Sequence, residues 1–295
     1  SAKMTMASLL AKTNPDAADE GPLFPFPSMD ELYKACPSFP QSREFTAGVE
    51  EAFLNAKDVL KTVLDPLTQP LSWLLEGALF IFLAAPWWIV VPLILMFVWY
   101  VCRSVAVTTF VTVSFAFLAF IDHLDAALQT LAIIAVCTGI CIILGVPVGI
   151  AMAKSNRFQR SLLPLLDLLQ TLPTFVYLIP LIFLFSVTEP KLYGIAIIVY
   201  AIVPVIRLTD LGIRLVDQDV VEAANAFGMS SRQKLFGIEL PLALPNIMAG
   251  VNQTIMMSLA MVVIASLVSA PGLGVLVLRG IRNLELGVGL IAGLG

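Results

Sequence analysis

From residue 78 onward the chain is a succession of long uncharged stretches, with polar residues gathered between them. The apolar runs lie at 78–101, 104–121, 126–153, 172–188, 192–206 (extending toward residue 211) and 247–270. About 20 apolar residues cross roughly 30 Å of hydrocarbon, so these runs read as membrane spans. Inside lipid every backbone polar group must bond internally, which makes helix the expected state of each run. The run at 126–153 is long enough to tilt. A seventh run opens near Leu286 and covers about half a span before Gly295. The pattern predicts an all-α polytopic membrane helical bundle with six full spans plus a truncated seventh.

Prolines recur within or beside the runs at Pro86, Pro92, Pro147, Pro173, Pro180 and Pro204. Each removes a backbone donor and bends or interrupts its helix. Gly139, Gly145 and Gly149 suit close helix–helix packing. There is no internal repeat.

Residues 1–76 have a different character. They hold eight prolines and eleven acidic against six basic residues, a balance of −5. The expected division is an N-terminal tail over 1–76, disordered in its first part, and a membrane domain over 77–295. Within the tail, residues 44–64 have helical spacing, with Phe45, Val49, Phe53, Ala56, Leu60 and Val63 near one face. Such a helix either lies on the membrane surface or packs on the rest of the protein. The opening residues lack the apolar core of a secretory signal.

Basic residues near span ends favour the cytoplasm. One assignment places Arg103, Lys154, Arg157, Arg160, Arg207, Arg214, Arg232 and Lys234 on that side. It leaves Lys191, Arg279 and Arg282 opposite, and puts the acidic tail outside the cytoplasm.

Composition narrows the functional classes. Of 295 residues, 59% are hydrophobic and 13% charged, against about a quarter charged in soluble domains. A net charge of −4 argues against nucleic-acid binding. Cys36, Cys102, Cys137 and Cys141 have no metal-ligand or redox spacing. His123, the one histidine, sits between Asp122 and Asp125 in a short loop. One histidine supplies neither a hydrolytic triad nor a zinc motif, so no catalytic or metal-ligating residue is expected. The chain also lacks a G-x-x-x-x-G-K-[ST] phosphate loop.

The most informative stretch is the polar insert at 207–246, ahead of the sixth run. Asp219 with Glu222 predicts a capping pair at a helix start. Val220, Ala223, Ala224 and Phe227 then share a face, and Gly228 fits a helix C-terminal cap. Ser230 with Gln233 predicts a second start, and Pro241 and Pro245 are expected to stop the helix before the next span. Two short helices across the mouth of the bundle, the first with small side chains, would offer a docking element.

Within this insert Glu222-Ala223-Ala224 is followed by Gly228, Ile238 and Leu240-Pro241 at fixed spacing. The pattern resembles the EAA loop of binding-protein-dependent ABC importer permeases. The surroundings are similar to the glycine betaine/proline betaine (L-proline) permeases. They include Pro164-Leu165-Leu166-Asp167, Gln170-Thr171, Ile206-Arg207-Leu208-Thr209, Met248-Ala249-Gly250-Val251-Asn252-Gln253-Thr254 and Val277-Leu278-Arg279-Gly280-Ile281. The resemblance covers about residues 70 to 295.

It implies an ABC type I importer permease (MetI-like) fold in a bacterial inner membrane, with the tail extracytoplasmic. It also implies a non-catalytic subunit that translocates betaine-type osmoprotectants. The expected partners are a cytoplasmic ATPase dimer carrying ATP and Mg, an extracytoplasmic substrate-binding protein and a second permease copy. Glu222, Ala223, Ala224, Gly228, Ile238, Leu240 and Pro241 would form the ATPase-coupling loop.

Candidate pathway residues are polar groups in or beside apolar runs: Asp167, Gln170, Asn252, Gln253 and Thr254. Such groups either face a water-filled path or hydrogen-bond between helices. Three other readings remain at this level: an ABC permease for choline, carnitine or an amino acid, an ion-coupled secondary transporter, and a membrane enzyme. The last two predict ionisable residues at mid-membrane or clustered acids and histidines, and neither is evident.

Overall fold

The computed structural model describes residues 42–185 and 189–294. The expected disordered start of the tail lies outside the described residues, as do residues 186–188 at the end of the fourth run. Contacts divide the chain into two units, Ser1–Asp58 and Val59–Gly295. Of the first unit, residues 42–58 are described and are helical.

The described elements are helical throughout. Helix α1 (Ser42–Ala84) contains the predicted 44–64 segment but does not stop there, running on through Pro66 and Pro70. It ends at Ala85-Pro86, because proline biases the residue before it away from helical geometry. The predicted run 78–101 is therefore two elements, with α2 (Trp87–Cys102) beginning after the break. Helix α2 carries Trp87 and Trp88 at one end and Trp99 and Tyr100 at the other, all exposed. The two aromatic pairs are about 18 Å apart along the helix, less than the roughly 30 Å of a hydrocarbon core. Arg103 takes a left-handed conformation (φ 47°) and turns the chain into α3 (Val105–Phe120).

The bundle proper begins with α4 (Leu124–Lys154). It is followed by α5 (Asn156–Thr171), a 3-10 turn (Thr174–Tyr177), α6 (Leu178–Leu184) and α7 (Pro190–Arg214). The predicted fourth run is not a straight span. Helix α5 and the Thr174–Leu184 stretch meet at 103°, where Pro173 breaks the helix. Helix α5 lays Leu162, Leu163, Leu166 and Leu169 against Met152, Val203 and Ile206, a stripe of helical period. After a two-helix segment described below come α10 (Leu240–Ala265), a short 3-10 turn, α11 (Leu273–Asn283) and α12 (Leu286–Leu294).

Among the described residues four helices are long and apolar enough to cross a membrane, or five if the bent pair counts as one span. Helices α2 and α3 have 16 residues each, about 24 Å of rise. The expected six full spans thus correspond to helices of unequal length, of which four or five among the described residues have the length and apolarity of a crossing.

Helix α7 is the axis of the bundle. Ala196, Ile197, Ala201, Val203 and Val205 are fully buried on it, flanked by α4 and α10. Helices α4 and α7 run parallel, since Gly145 meets Val205 and Gly149 meets Thr209. Helix α10 runs the other way, with Gly250 against Leu208 and Asn246 against Gly212. A Cβ on Gly149 would sit 2.6 Å from Thr209 Cβ and 2.7 Å from the Ile206 carbonyl. Two helices approach this closely only where one of them presents hydrogen alone.

Because α4 and α7 are parallel, His123 and Lys191 mark one end of the bundle, and Lys154 and Arg214 the other. At the first end Lys191 is buried, pairing with Asp65 at 2.7 Å and Glu189 at 2.8 Å and lying over the Phe185 ring. Asp65 reaches Lys191 while Leu71 and Leu75 reach Gly194. Those residues span about 15 Å of α1 but only about 4.5 Å of α7, so α1 crosses the end of α7. His123 Nδ1 bonds the Ile121 carbonyl at 2.6 Å. Helix α11 is seated at this end too, through the Leu273 N–H donated to Thr130 Oγ1 at 3.0 Å.

Replacing Gly149 with Val should overpack the α4–α7 contact and destabilise the protein by about 1–3 kcal/mol. Gly139→Ala, which meets no atom within 4 Å, should change stability by less than about 0.5 kcal/mol. Thermal unfolding of the detergent-solubilised protein distinguishes the two. Equal stability of both variants would contradict this packing.

Candidate functional site

The segment between α7 and α10 is built by local rules. Helix α8 (Gln218–Ala226) starts at Asp217, whose side chain accepts the Asp219 N–H at 3.0 Å. The predicted cap, Asp219, therefore lies in the first turn, and the helix starts earlier than the Asp219–Glu222 pair suggested. Two carboxylates at a helix N-terminus complement its partial positive charge.

The C-terminus of α8 is a complete Schellman motif. The Met229 N–H donates to the Ala224 carbonyl at 3.1 Å, and the Gly228 N–H to the Asn225 carbonyl at 3.0 Å. Gly228 sits at φ +74°, and no atom lies within 4 Å of where its Cβ would be. Glycine is needed here for backbone conformation rather than for space.

Helix α9 (Ser231–Lys234) starts with the predicted capping box. Gln233 N–H reaches Ser230 Oγ, and Ser230 N–H reaches Gln233 Oε1 at 2.9 Å. Lys234 Nζ then donates to Asn225 Oδ1 at 2.9 Å, tying α9 to α8.

From α9 the chain enters a π turn (Leu235–Glu239) that runs directly into α10. Pro241 and Pro245 do not stop the helix as expected. Pro241 falls in the first turn of α10, where a missing N–H matters least. Pro245 is accommodated inside the helix.

The segment's outward surface is a mixture of small, apolar and charged groups. Glu222, Ala223 and Gly228 are exposed, while Ala224 is buried. The expected shared face of Val220, Ala223, Ala224 and Phe227 is thus buried only at Ala224. Phe227 is 87% exposed and Phe236 65%. Ile238 and Leu240 are half-buried and Pro241 exposed. Two bare phenylalanines on a stiffened two-helix element form an unpartnered apolar surface among the described residues.

Beside the segment lies a polar network that the sequence reading did not pick out. Asp210 is buried and accepts from Arg214 Nε at 2.8 Å and Gln159 Nε2 at 2.7 Å. Arg214 also donates to Asn156 Oδ1 and to the Met152 carbonyl, each at 2.8 Å. The pattern binds the start of α5 to the ends of α4 and α7. Its sequence signal was the i,i+4 pair Asp210/Arg214. Glu239, buried and paired with Lys154, is a second group missed. It stood as a lone acid between apolar residues.

The candidate pathway residues do not share one environment. Asp167 pairs with Arg207. Gln170, Asn252 and Gln253 are exposed. Thr254 is fully buried, and its hydroxyl has no partner among the described residues. One step of about 100° along α10 separates it from Gln253.

Sequence comparison places these features in a family. Residues 145–294 match the model for "Binding-protein-dependent transport system inner membrane component". The matched region runs from the second half of α4 to α12 and includes the two-helix segment. Over 271 residues the chain is 37% identical to the glycine betaine/proline betaine transport system permease protein ProW of Escherichia coli (strain K12). That alignment covers 92% of this chain and 74% of the relative. It is 41% identical over 215 residues to the glycine betaine transport system permease protein OpuAB of Bacillus subtilis (strain 168), covering 72% and 71% of the two chains. It is 35% identical over 247 residues to the glycine betaine/carnitine transport permease protein GbuB of Listeria monocytogenes serotype 1/2a (strain 10403S), covering 83% and 84%. With this match over half of its length and these identities, the chain belongs to the binding-protein-dependent transport system inner membrane components, the membrane permease subunits of ABC importers.

Proposed function

We propose that this chain carries glycine betaine-type osmolytes across the bacterial inner membrane, driven by a separate ATPase that docks on the 217–239 segment. One observation carries the docking assignment. The segment bearing Glu222-Ala223-Ala224 and Gly228 is locked by a Schellman motif and a capping box, and it presents Phe227 and Phe236 bare. A rigid element with exposed aromatics loses little conformational freedom on binding. Ala223 lets a partner surface approach closely.

In this reading Glu222, Ala223, Gly228, Ile238, Leu240 and Pro241 shape or support the docking surface, and Ala224 anchors it. ATP and Mg are held by the partner. A solute-binding protein delivers substrate at the end marked by Lys191, and a second copy of the chain completes the pathway. The docking segment faces the cytoplasm, and the tail lies on the other side of the membrane. ATP-driven closure of the partner then rocks the helices between two access states.

The substrate assignment is supported by the relatives' substrates. The glycine betaine, proline betaine and carnitine in their names share a quaternary ammonium and a carboxylate. Asn252 and Gln253, exposed on α10, are suited to weak, reversible contact with such a zwitterion along the path. Asp167 and Gln170 lie near the docking end and would serve the exit.

Gly228→Val should hold the chain out of the left-handed turn at a cost of about 1–2 kcal/mol. Uptake should fall sharply while membrane insertion stays normal. Gly228→Asn, which tolerates that conformation, should retain most activity. Uptake by membrane vesicles, normalised to inserted protein, reads both. Wild-type uptake in the valine variant would remove the docking role of the turn.

Reconstituted with its ATPase and binding protein, the chain should take up labelled glycine betaine only when ATP is present. Excess proline betaine or carnitine should compete, and excess neutral amino acid should not. Uptake blocked by the amino acid and untouched by the betaines would overturn the substrate assignment.

A further inference from the structure

Glu239 closes the π turn between α9 and α10, and its side chain is only 7% exposed. It pairs with Lys154, the last residue of α4, from 85 positions away in sequence. The segment's other side-chain hydrogen bonds stay inside it: Asp217 with the Asp219 N–H, Ser230 with Gln233, and Lys234 with Asn225. The Lys154–Glu239 pair is thus a direct polar tie from the segment to a helix that does not adjoin it in the chain.

The tie has a purpose that the chain path cannot serve. The segment is covalently joined to α7 and α10, so its displacement reaches those helices through the backbone. Helix α4 is separated from it by α5, α6 and α7. Yet α4 must move with α7, because Gly145 and Gly149 hold the two in backbone contact. Ala153 and Ile150 at the end of α4 pack near Ile213, Ala243 and Ile247, but apolar side chains slide. A buried carboxylate facing an ammonium does not slide freely, since separation strands a desolvated charge.

The π turn sets the geometry. Its i→i+5 bond, from Leu240 N–H to the Leu235 carbonyl, holds one residue more than an α turn. An α-helical continuation would rotate α9 by about 100° relative to α10. The docking face and Glu239 therefore keep their mutual orientation only while this turn holds. π turns within helices are often found at functional sites.

We infer that Lys154 and Glu239 are positioning residues that carry the movement of the docked segment into α4, so that one docking event shifts α4, α7 and α10 together. The inference rests on the docking role proposed above.

The test uses the reconstituted importer with its ATPase and binding protein. ATP hydrolysed per solute imported is measured for wild type, Glu239→Gln, Lys154→Gln and the charge swap Lys154→Glu with Glu239→Lys. Co-purification of the ATPase is measured alongside. Glu239→Gln keeps shape and removes charge. In both single variants the ATPase should stay bound and hydrolysing, while ATP spent per solute rises severalfold. The swap should return the ratio toward wild type.

An unchanged ratio in the single variants overturns the inference, even if uptake and hydrolysis fall together, because a merely structural role lowers both. Loss of ATPase binding in Glu239→Gln also overturns it, marking the pair as part of the docking surface. If either single variant does not accumulate, the double variant Lys154→Gln with Glu239→Gln decides, since it removes the tie without stranding a buried charge, and it too should raise the ratio. A wild-type chain that binds no ATPase would sink the docking assignment instead, so the two failures are distinct.

Discussion

Backbone contact between α7 and its neighbours is the constraint from which the rest of the bundle follows. In lipid, apolar side chains gain little by leaving one hydrocarbon environment for another, so helices associate where their backbones approach closely. Gly145 and Gly149 on α4, Gly212 on α7 and Gly250 on α10 supply those approaches. Each contact fixes a rotation as well as a distance. Once Gly149 faces Thr209, the end of α4 is directed so that the Met152 carbonyl meets Arg214 and Lys154 meets Glu239. The polar groups at the Lys154 end are arranged by packing some distance away from them.

Both ends of the bundle treat charge alike. Lys191, Asp210 and Glu239 are buried, and each has an opposite charge within reach. A charge taken from water requires such a partner. The distribution is uneven in a telling way. At one end the pair Lys191–Asp65 ties a crossing helix to the axis. At the other, Asp210, Arg214, Gln159 and Asn156 join three helices, and Lys154–Glu239 adds the two-helix segment. The end proposed to receive mechanical input is the more heavily cross-linked of the two.

The two-helix segment at 217–239 follows a different physics. It is short, with nine residues in α8 and four in α9, and helices of that length are marginal on their own. Caps at both ends of α8, a capping box on α9 and the Lys234–Asn225 bond compensate. Stiffness is obtained locally, which leaves the outward side chains free to meet a partner.

Much of this was legible along the chain. Hydropathy located the apolar runs, the EAA spacing identified the segment, and Gly228 and the Ser230/Gln233 box marked its turns correctly. Those signals are local: a cap, a turn or a run of 20 apolar residues is decided by neighbours in sequence. The break at Ala85-Pro86, the 103° bend at Pro173 and the continuous passage through Pro241 and Pro245 were not decided that way. Proline removes a donor and biases its predecessor away from helical geometry; whether the helix then stops, bends or continues also depends on what packs around it. The burial of Glu239 and Asp210 was likewise hidden, because residues 85 and 51 positions away supply their partners. Sequence alone determined that this chain is a helical membrane protein with a capped two-helix segment ahead of its last long apolar helix. Tertiary structure alone decided which charges face inward, because burial is a property of neighbouring helices and not of the residues that carry the charge.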